Sequence, residues 1–192
     1  MDLNKSFTPE EEKDLAQTPL DFFLALERYL NIQFDLDACA IGQTAKVAKY
    51  YSLIERNENA LELPWSRHTF CNPPYSSIMP WCKKAYDEAK KGNASILLIP
   101  DKPEVKYMQF CHLHADTIYH MPYRLNFLRP NGEPFLTKEG KKQGPKFPVC
   151  AVLFTPHVIN PYAPMYAYHK YMHGIREEIN RLNKSIDNIE AF

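Results

Sequence analysis

The sequence predicts an α/β fold, a mostly parallel sheet with helices on both faces. Three observations lead there. Short apolar runs alternate with helical periodicities through the middle of the chain, the order that builds parallel strands through helical crossovers. The run Ala94–Ile99, ASILLI, is apolar throughout, as a strand covered on both faces would be. The run His68–Cys71 stops on Asn72-Pro73-Pro74-Tyr75, where two adjacent prolines have no N–H to give a ladder.

Taken in order, residues 1–16 read as a polar arm, 17–173 as the main domain and 174–192 as a separate helical tail. Thr18 suits an N-cap and Pro19 the first helical position, and Phe22, Phe23, Leu26, Tyr29 and Leu30 follow at helical spacing. Ile32–Ala38 alternates apolar residues with aspartates and predicts a strand. Residues 44–52 are ambiguous in pattern, a short helix being one reading, and 55–67 read as loop. A strand at His68–Cys71 leads into the Asn-Pro-Pro-Tyr turn. Pro80 then starts a helix with Trp81, Ala85 and Ala89 on one face, and Gly92 stops it. The Ala94–Ile99 strand ends at Pro100-Asp101. A helix is expected from Pro103 to about His114, a short strand near Thr117–His120, and a final strand at Val149–Phe154. Ligands of such sheets bind at the carboxyl ends of strands, where both the Asp37 region and Asn72 fall.

Composition bounds the function. The 192 residues carry 23 Lys+Arg and 23 Asp+Glu, so no global charge calls for nucleic acid or a membrane, and any charged surface is local. The 16 prolines among 192 residues exceed the usual ~5% and sit among aromatics, which indicates shaped loops. The five cysteines are odd in number and form no CxxC, which reads as reduced, mostly buried thiols of a cytosolic protein without a zinc framework. His112-Leu-His114 lacks matching ligands and reads as a helix end, so no metal is expected. No apolar run approaches the ~20 residues of a membrane span, and the N-terminus lacks a signal-peptide core.

The Asn-Pro-Pro-Tyr turn has a plain reading, a strand followed by a structural turn, and a chemical one. An exocyclic amine such as adenine N6 is a poor nucleophile, because its lone pair is delocalised into the ring. Two acceptors held against its N–H groups favour the pyramidal form and the charge that develops as nitrogen attacks. The Asn72 side-chain carbonyl and the Pro73 backbone carbonyl could be those acceptors, with the prolines fixing the backbone beforehand. Tyr75 offers an aromatic face for a flipped base.

Asn72-Pro-Pro-Tyr75 resembles the motif of amino-group methyltransferases that use S-adenosylmethionine. Over roughly residues 17–156 the chain is similar to the phage-type, Dam-like DNA N6-adenine methyltransferases of phages and prophages. The resemblance runs through Gln17-Thr-Pro19, Phe34-Asp-Leu-Asp-Ala-Cys-Ala40, Glu58-Asn-Ala-Leu61, Pro64-Trp65, Phe70–Ser76, Pro80-Trp81, Ile96–Pro100, Arg124-Leu-Asn-Phe127 and Cys150–Phe154. It implies a seven-stranded, Rossmann-like class I methyltransferase sheet, reduced on the side of the short interval between Cys39 and Asn72, in a protein of the bacterial host cytoplasm. It implies S-adenosylmethionine as cofactor, met by Thr18, Pro19, Asp37, Ala38, Asn59 and Asn72, and double-stranded DNA as partner. Asn59 departs from the acid common at its position. The glycine-rich loop of many methyltransferases is also absent, since DACAIGQ holds only Gly42.

Between 124 and 147 the chain carries Arg124, Arg129, Lys138, Lys141, Lys142 and Lys146 against Glu133 and Glu139. Gly132, Gly140 and Gly144 give this segment freedom, so it reads either as a solvated loop or as a phosphate-contacting recognition element. Tyr123, Phe127 and Phe135 suit base stacking or, as alternating aromatics, the core. In the tail, Ile175, Ile179, Leu182, Ile186 and Ile189 form an a/d stripe, either packed on its own domain or mediating a homodimer. Three functions stay open: a DNA adenine N6-methyltransferase, an RNA or protein-amide methyltransferase with the same chemistry, and a catalytically silent DNA-binding protein.

Overall fold

A computed structural model describes residues 14–137, 140–142, 144–145, 147–156 and 167–190, with side chains of 186–190 left aside. Its elements are α1 (Leu20–Leu30), β1 (Leu36–Asp37), α2 (Leu53–Arg56), β2 (His68–Cys71), α3 (Met79–Lys90), β3 (Ala94–Pro100), α4 (Lys106–His114), β4 (Thr117–His120), β5 (Val149–Phe154), β6 (Tyr168–Tyr171) and α5 (Ile175–Glu190). Among the described residues they form a six-stranded sheet, one strand fewer than the seven expected, in the order β1-β2-β3-β5-β4-β6. β1, β2 and β3 are mutually parallel, β5 runs antiparallel to both β3 and β4, and β6 is parallel to β4. Only β5 is therefore reversed.

The pleat divides the core in two. On β3, Leu97 and Ile99 face one cluster with Trp81, Cys82, Ala85 and Ala89 of α3 and Met108 and Cys111 of α4. Ile96 and Leu98 face the other, with Phe22, Phe23 and Leu26 of α1 and Ile175 and Leu182 of α5. This is the period-2 consequence of covering both faces of one strand, and it bears out the expectation of helices on both sides. Four cysteines are buried and Cys39 is half-buried, all unpaired as thiols. Among the described residues no helix is long and apolar enough to cross a membrane.

Several expectations need correction. The predicted strand 32–38 contracts to Leu36–Asp37, because Phe34 turns into the α1 side of the core and its N–H bonds to the Glu27 carboxylate at 2.8 Å. Residues 44–52 are not helical. Tyr50 bridges Asp37 in parallel, and the Tyr51 N–H donates to the Asp37 carbonyl at 3.0 Å, so this segment edges β1. The stretch read as loop opens on Glu55 and Arg56, the end of one turn of helix, α2, capped by the Ser52 hydroxyl, which accepts from the Glu55 N–H. Val149–Phe154 is not the last strand: β6 follows, and its four residues, YHKY, are all exposed and show no alternation to betray them.

The tail helix packs against α1. Ile175 is fully buried, Leu182 is buried and Ile179 half-buried in the same cluster, and Arg28 pairs with Glu178 at 3.2 Å. The stripe up to Leu182 thus belongs to this chain's own core.

Candidate active site

β1 and β2 deliver the two acidic and amide groups picked out by sequence to one end of the sheet. Register sets Asp37 opposite Phe70, and the Ala38 N–H donates to the Phe70 carbonyl at 2.9 Å. The sheet then ends on Asn72. Asp37 is 3% exposed, and its carboxylate accepts from the N–H groups of Lys46 (3.1 Å) and Cys39 (3.4 Å). Burial pushes its pKa up to about 6, with those two N–H groups and the Lys46 charge pulling it back. Burial and then the Asp37 charge push the Cys39 thiol up to about 12. Ala38 is also buried.

Residues 14–18 thread across these strand ends. The Asn72 side-chain amide donates to the Ala16 carbonyl at 2.9 Å, and the Ser76 hydroxyl to Asp14 at 2.8 Å. Gln17 and Leu128 exchange backbone hydrogen bonds of 2.7 and 2.9 Å, while the Gln17 side chain donates to the Gln43 carbonyl at 3.0 Å. Ala16, expected at the end of a polar arm, is thus part of the site. With its amide nitrogen held, Asn72 leaves Oδ1 buried and without a partner among the described residues. A buried carbonyl oxygen in that condition is costly unless something else meets it.

Thr18 departs from its predicted role. The helix cap is Pro19, with extended dihedrals (φ −57°, ψ 138°) and no capping side chain, while within the first turn the Asp21 carboxylate accepts from the Phe22 N–H at 2.7 Å. Thr18 is buried, and its Oγ1 also lacks a protein partner. The hydroxyl not used on the helix is therefore a second orphan in the same crossing segment.

Tyr75 turns back into the sheet end. Its hydroxyl donates to the Leu98 carbonyl at 3.2 Å and is held well above its ordinary pKa by burial. Its ring meets the edge of Phe127 at 6.0 Å and lies 5.9 Å from Phe147. Pro73 is buried and Pro74 half-buried. Phe127 is itself core, and Phe135 packs against the core, as the alternating-aromatic reading allowed. Tyr123 lies under the Arg176 guanidinium, 4.6 Å from the ring centroid.

Asn59 is occupied locally: its Oδ1 accepts from the Leu61 N–H at 3.1 Å and its Nδ2 donates to Glu62 at 2.8 Å. Sequence reasoning passed over its neighbour Glu58, whose Oε2 is buried without a protein partner. The signal was an acid one residue before the position where an acid was sought. At Gly42 a Cβ would lie 2.9 Å from the Tyr50 hydroxyl, so a larger residue would have to displace the tip of that side chain, and the Gly42 N–H donates to Glu55 at 2.7 Å.

The basic segment is folded where it is described. Leu128 bridges Pro134, Leu136 bridges Lys142, and the Thr137 N–H donates to the Lys141 carbonyl at 2.8 Å. Arg124, Lys141 and Lys142 are exposed, and Arg129 is half-buried. Lys138 and Lys146 lie outside the described residues. Leu128 joins this segment to Gln17, the neighbour of the Ala16 that holds the Asn72 amide.

Comparison with known proteins agrees with this geometry. The chain is 31% identical over 179 residues to a DNA N-6-adenine-methyltransferase of Haemophilus phage HP1, covering 92% of this chain and 97% of that one. It is 33% identical over 95 residues to a DNA N-6-adenine-methyltransferase of Escherichia phage T1, covering 48% of this chain and 38% of that one. Residues 5–171 match the family described as DNA N-6-adenine-methyltransferase (Dam). With its strand-end Asn-Pro-Pro-Tyr turn and a match over most of its length, the chain belongs to the DNA N-6-adenine-methyltransferase (Dam) family.

Proposed function

We propose that this protein methylates N6 of adenine in double-stranded DNA, with Asn72, Pro73 and Tyr75 as its catalytic residues and S-adenosylmethionine as its cofactor. The observation that carries the reading is Asn72: its amide nitrogen is spent on Ala16 while Oδ1 stays buried and unpartnered. That orientation presents an acceptor, not a donor, to an incoming amine. The Pro73 carbonyl is the second acceptor, on a backbone stiffened by two prolines. Together they draw on the two N–H groups of the amine, return electron density to nitrogen, and accept the positive charge that develops there. Tyr75, tethered at its hydroxyl, supplies the aromatic surface for the flipped adenine.

The cofactor supplies the electrophilic methyl when bound. The residues at the strand ends fit such a group: Thr18 Oγ1 and Glu58 Oε2 are buried acceptors without protein partners, suited to ammonium and hydroxyl groups. Asp37 and Ala38 close the end of β1, and Asp37 suits a cationic group because its charge is poorly solvated. Pro19 fixes the chain entry beside Thr18, and Asn72 completes that side. Asn59 serves the turn that holds Glu58. Among the described residues, six strands with one reversed, and the Tyr50 bridge alone beyond β1, support a class I methyltransferase sheet shortened on that side. Arg124, Arg129, Lys138, Lys141, Lys142 and Lys146 form the phosphate-contacting element.

Labelled methyl transfer to adenine-containing duplex DNA, with RNA and protein in parallel, followed by nucleoside mass spectrometry, tests the proposal. N6-methyladenine in DNA is expected, at least ~100-fold reduced in Asn72→Ala, with cofactor affinity by calorimetry held within a few-fold. Transfer to RNA or protein alone would reassign the substrate. Undiminished activity in Asn72→Ala would remove the acceptor role.

A further inference from the structure

The basic segment runs from the end of β4 to the start of β5, and both of its stems are held by one residue outside it. Asp101 follows β3. Its carboxylate lies 2.6 Å from Nδ1 of His120, the last residue of β4. Its backbone N–H donates to the carbonyl of Pro148, just before β5, at 2.9 Å. Because β5 lies between β3 and β4 in the sheet, Asp101 reaches across the base of the loop and clasps it on both sides. The adjoining Lys102 places its ammonium 4.8 Å from the Phe147 ring, and Phe147 lies 5.9 Å from Tyr75. The clasp is therefore connected to the Asn-Pro-Pro-Tyr turn through packed side chains.

His120 is not free to rotate out of this contact. A carboxylate accepting from Nδ1–H leaves Nε2 as an acceptor, and Nε2 lies 2.9 Å from Nδ1 of His169 on β6. His169 Nε2 lies 3.1 Å from Nδ1 of His112 on α4. A proton on Nδ1 of each of the three rings satisfies every link. The His120 and His169 rings are stacked within 12° of parallel, and Tyr171 lies 5.2 Å from His120 on its other flank. Asp101 and His120 are each only about one-sixth exposed, with side-chain accessibilities of 15% and 16%.

We propose that Asp101 and His120 are positioning residues that hold the basic segment over the Asn72 turn, so that DNA meets a preset surface. This rests on the reading of that segment as the DNA-contacting element. A loop whose stems are fixed loses less freedom on binding, so loosening the clasp acts on DNA affinity and not on the methyl-transfer step.

The experiment is steady-state kinetics of the full chain on duplex DNA for Asp101→Ala, His120→Ala and the double variant, with Lys141→Ala/Lys142→Ala as a control. Expected for each clasp variant is a rise of roughly tenfold or more in KM for DNA, the loss due to one charge-assisted hydrogen bond. kcat is expected to hold within about twofold, with the double variant no worse than the worse single, as for two halves of one contact. Unchanged KM for DNA, additive effects, or a matching fall in kcat and cofactor affinity would overturn the proposal. If the lysine variant leaves KM unchanged, the segment does not contact DNA and both readings fall. If it raises KM while Asp101→Ala does not, the clasp alone is wrong. Asp101→Asn, which keeps the shape, replaces Asp101→Ala if the latter does not fold.

Discussion

At the scale of single residues, the candidate site is marked by polar atoms that the fold buries without a partner among the described residues. Asn72 Oδ1, Thr18 Oγ1 and Glu58 Oε2 are such atoms, and Asp37 is a buried carboxylate whose charge the fold tolerates at a cost. In the unfolded chain its pKa is near 3.8, and in the fold it stands at about 6. Below the lower value the carboxyl is protonated in both states. As pH rises through the upper value the folded chain must carry a buried charge, and stability is lost. The interval corresponds to about 3 kcal/mol. Asp37→Asn is therefore expected to gain stability relative to the parent by up to about 3 kcal/mol between about pH 4 and about pH 8. Urea unfolding of both chains at the two pH values measures it, and parallel pH dependences would show that Asp37 is not the strained group. Asn72 and Asp37 were legible beforehand because strand-end position and the proline pair mark them. Thr18 was legible only through the resemblance and Glu58 only as an acid beside Asn59; that their oxygens are left unmet was not, since an unsatisfied atom is defined by what surrounds it.

At the scale of elements, local patterns read most faithfully where burial and propensity agree. β2, α3, β3 and β4 lie at or within a residue or two of their predicted ranges, because apolar periodicity, a starting proline and a stopping glycine all point the same way. β6 escaped notice because an edge strand with four exposed residues has no hydrophobic pattern. It is held by backbone pairing to β4 and by His169. α5 could be read as an amphipathic helix but not assigned a partner. Its stripe meets α1, with Ile175 fully buried, so Ile175→Ala is expected to cost about 2–5 kcal/mol, read as a lower urea midpoint. A loss under about 0.5 kcal/mol would mean that the helix adds little to the core.

At the scale of the whole molecule, the hydrophobic stripe of the tail is spent inside the chain as far as Leu182. Light scattering is accordingly expected to give the 22.4 kDa monomer, and a dimeric mass would place self-association on another surface. The sequence by itself determined the α/β class, the strand that ends at Asn72, the chemistry available to an Asn-Pro-Pro-Tyr turn and the local excess of positive charge. These are properties of neighbours along the chain, carried by period, proline geometry and side-chain type. Only the tertiary structure decided that Ala16 orients the Asn72 amide, that Tyr50 edges β1, that β5 is reversed between β3 and β4, and that Asp101 binds both stems of the basic segment. The residues concerned lie tens of positions apart: 56 separate Asn72 from Ala16 and 19 separate His120 from Asp101. Such contacts form because two packed helical layers and one ladder register bring distant backbone together, which no local pattern encodes.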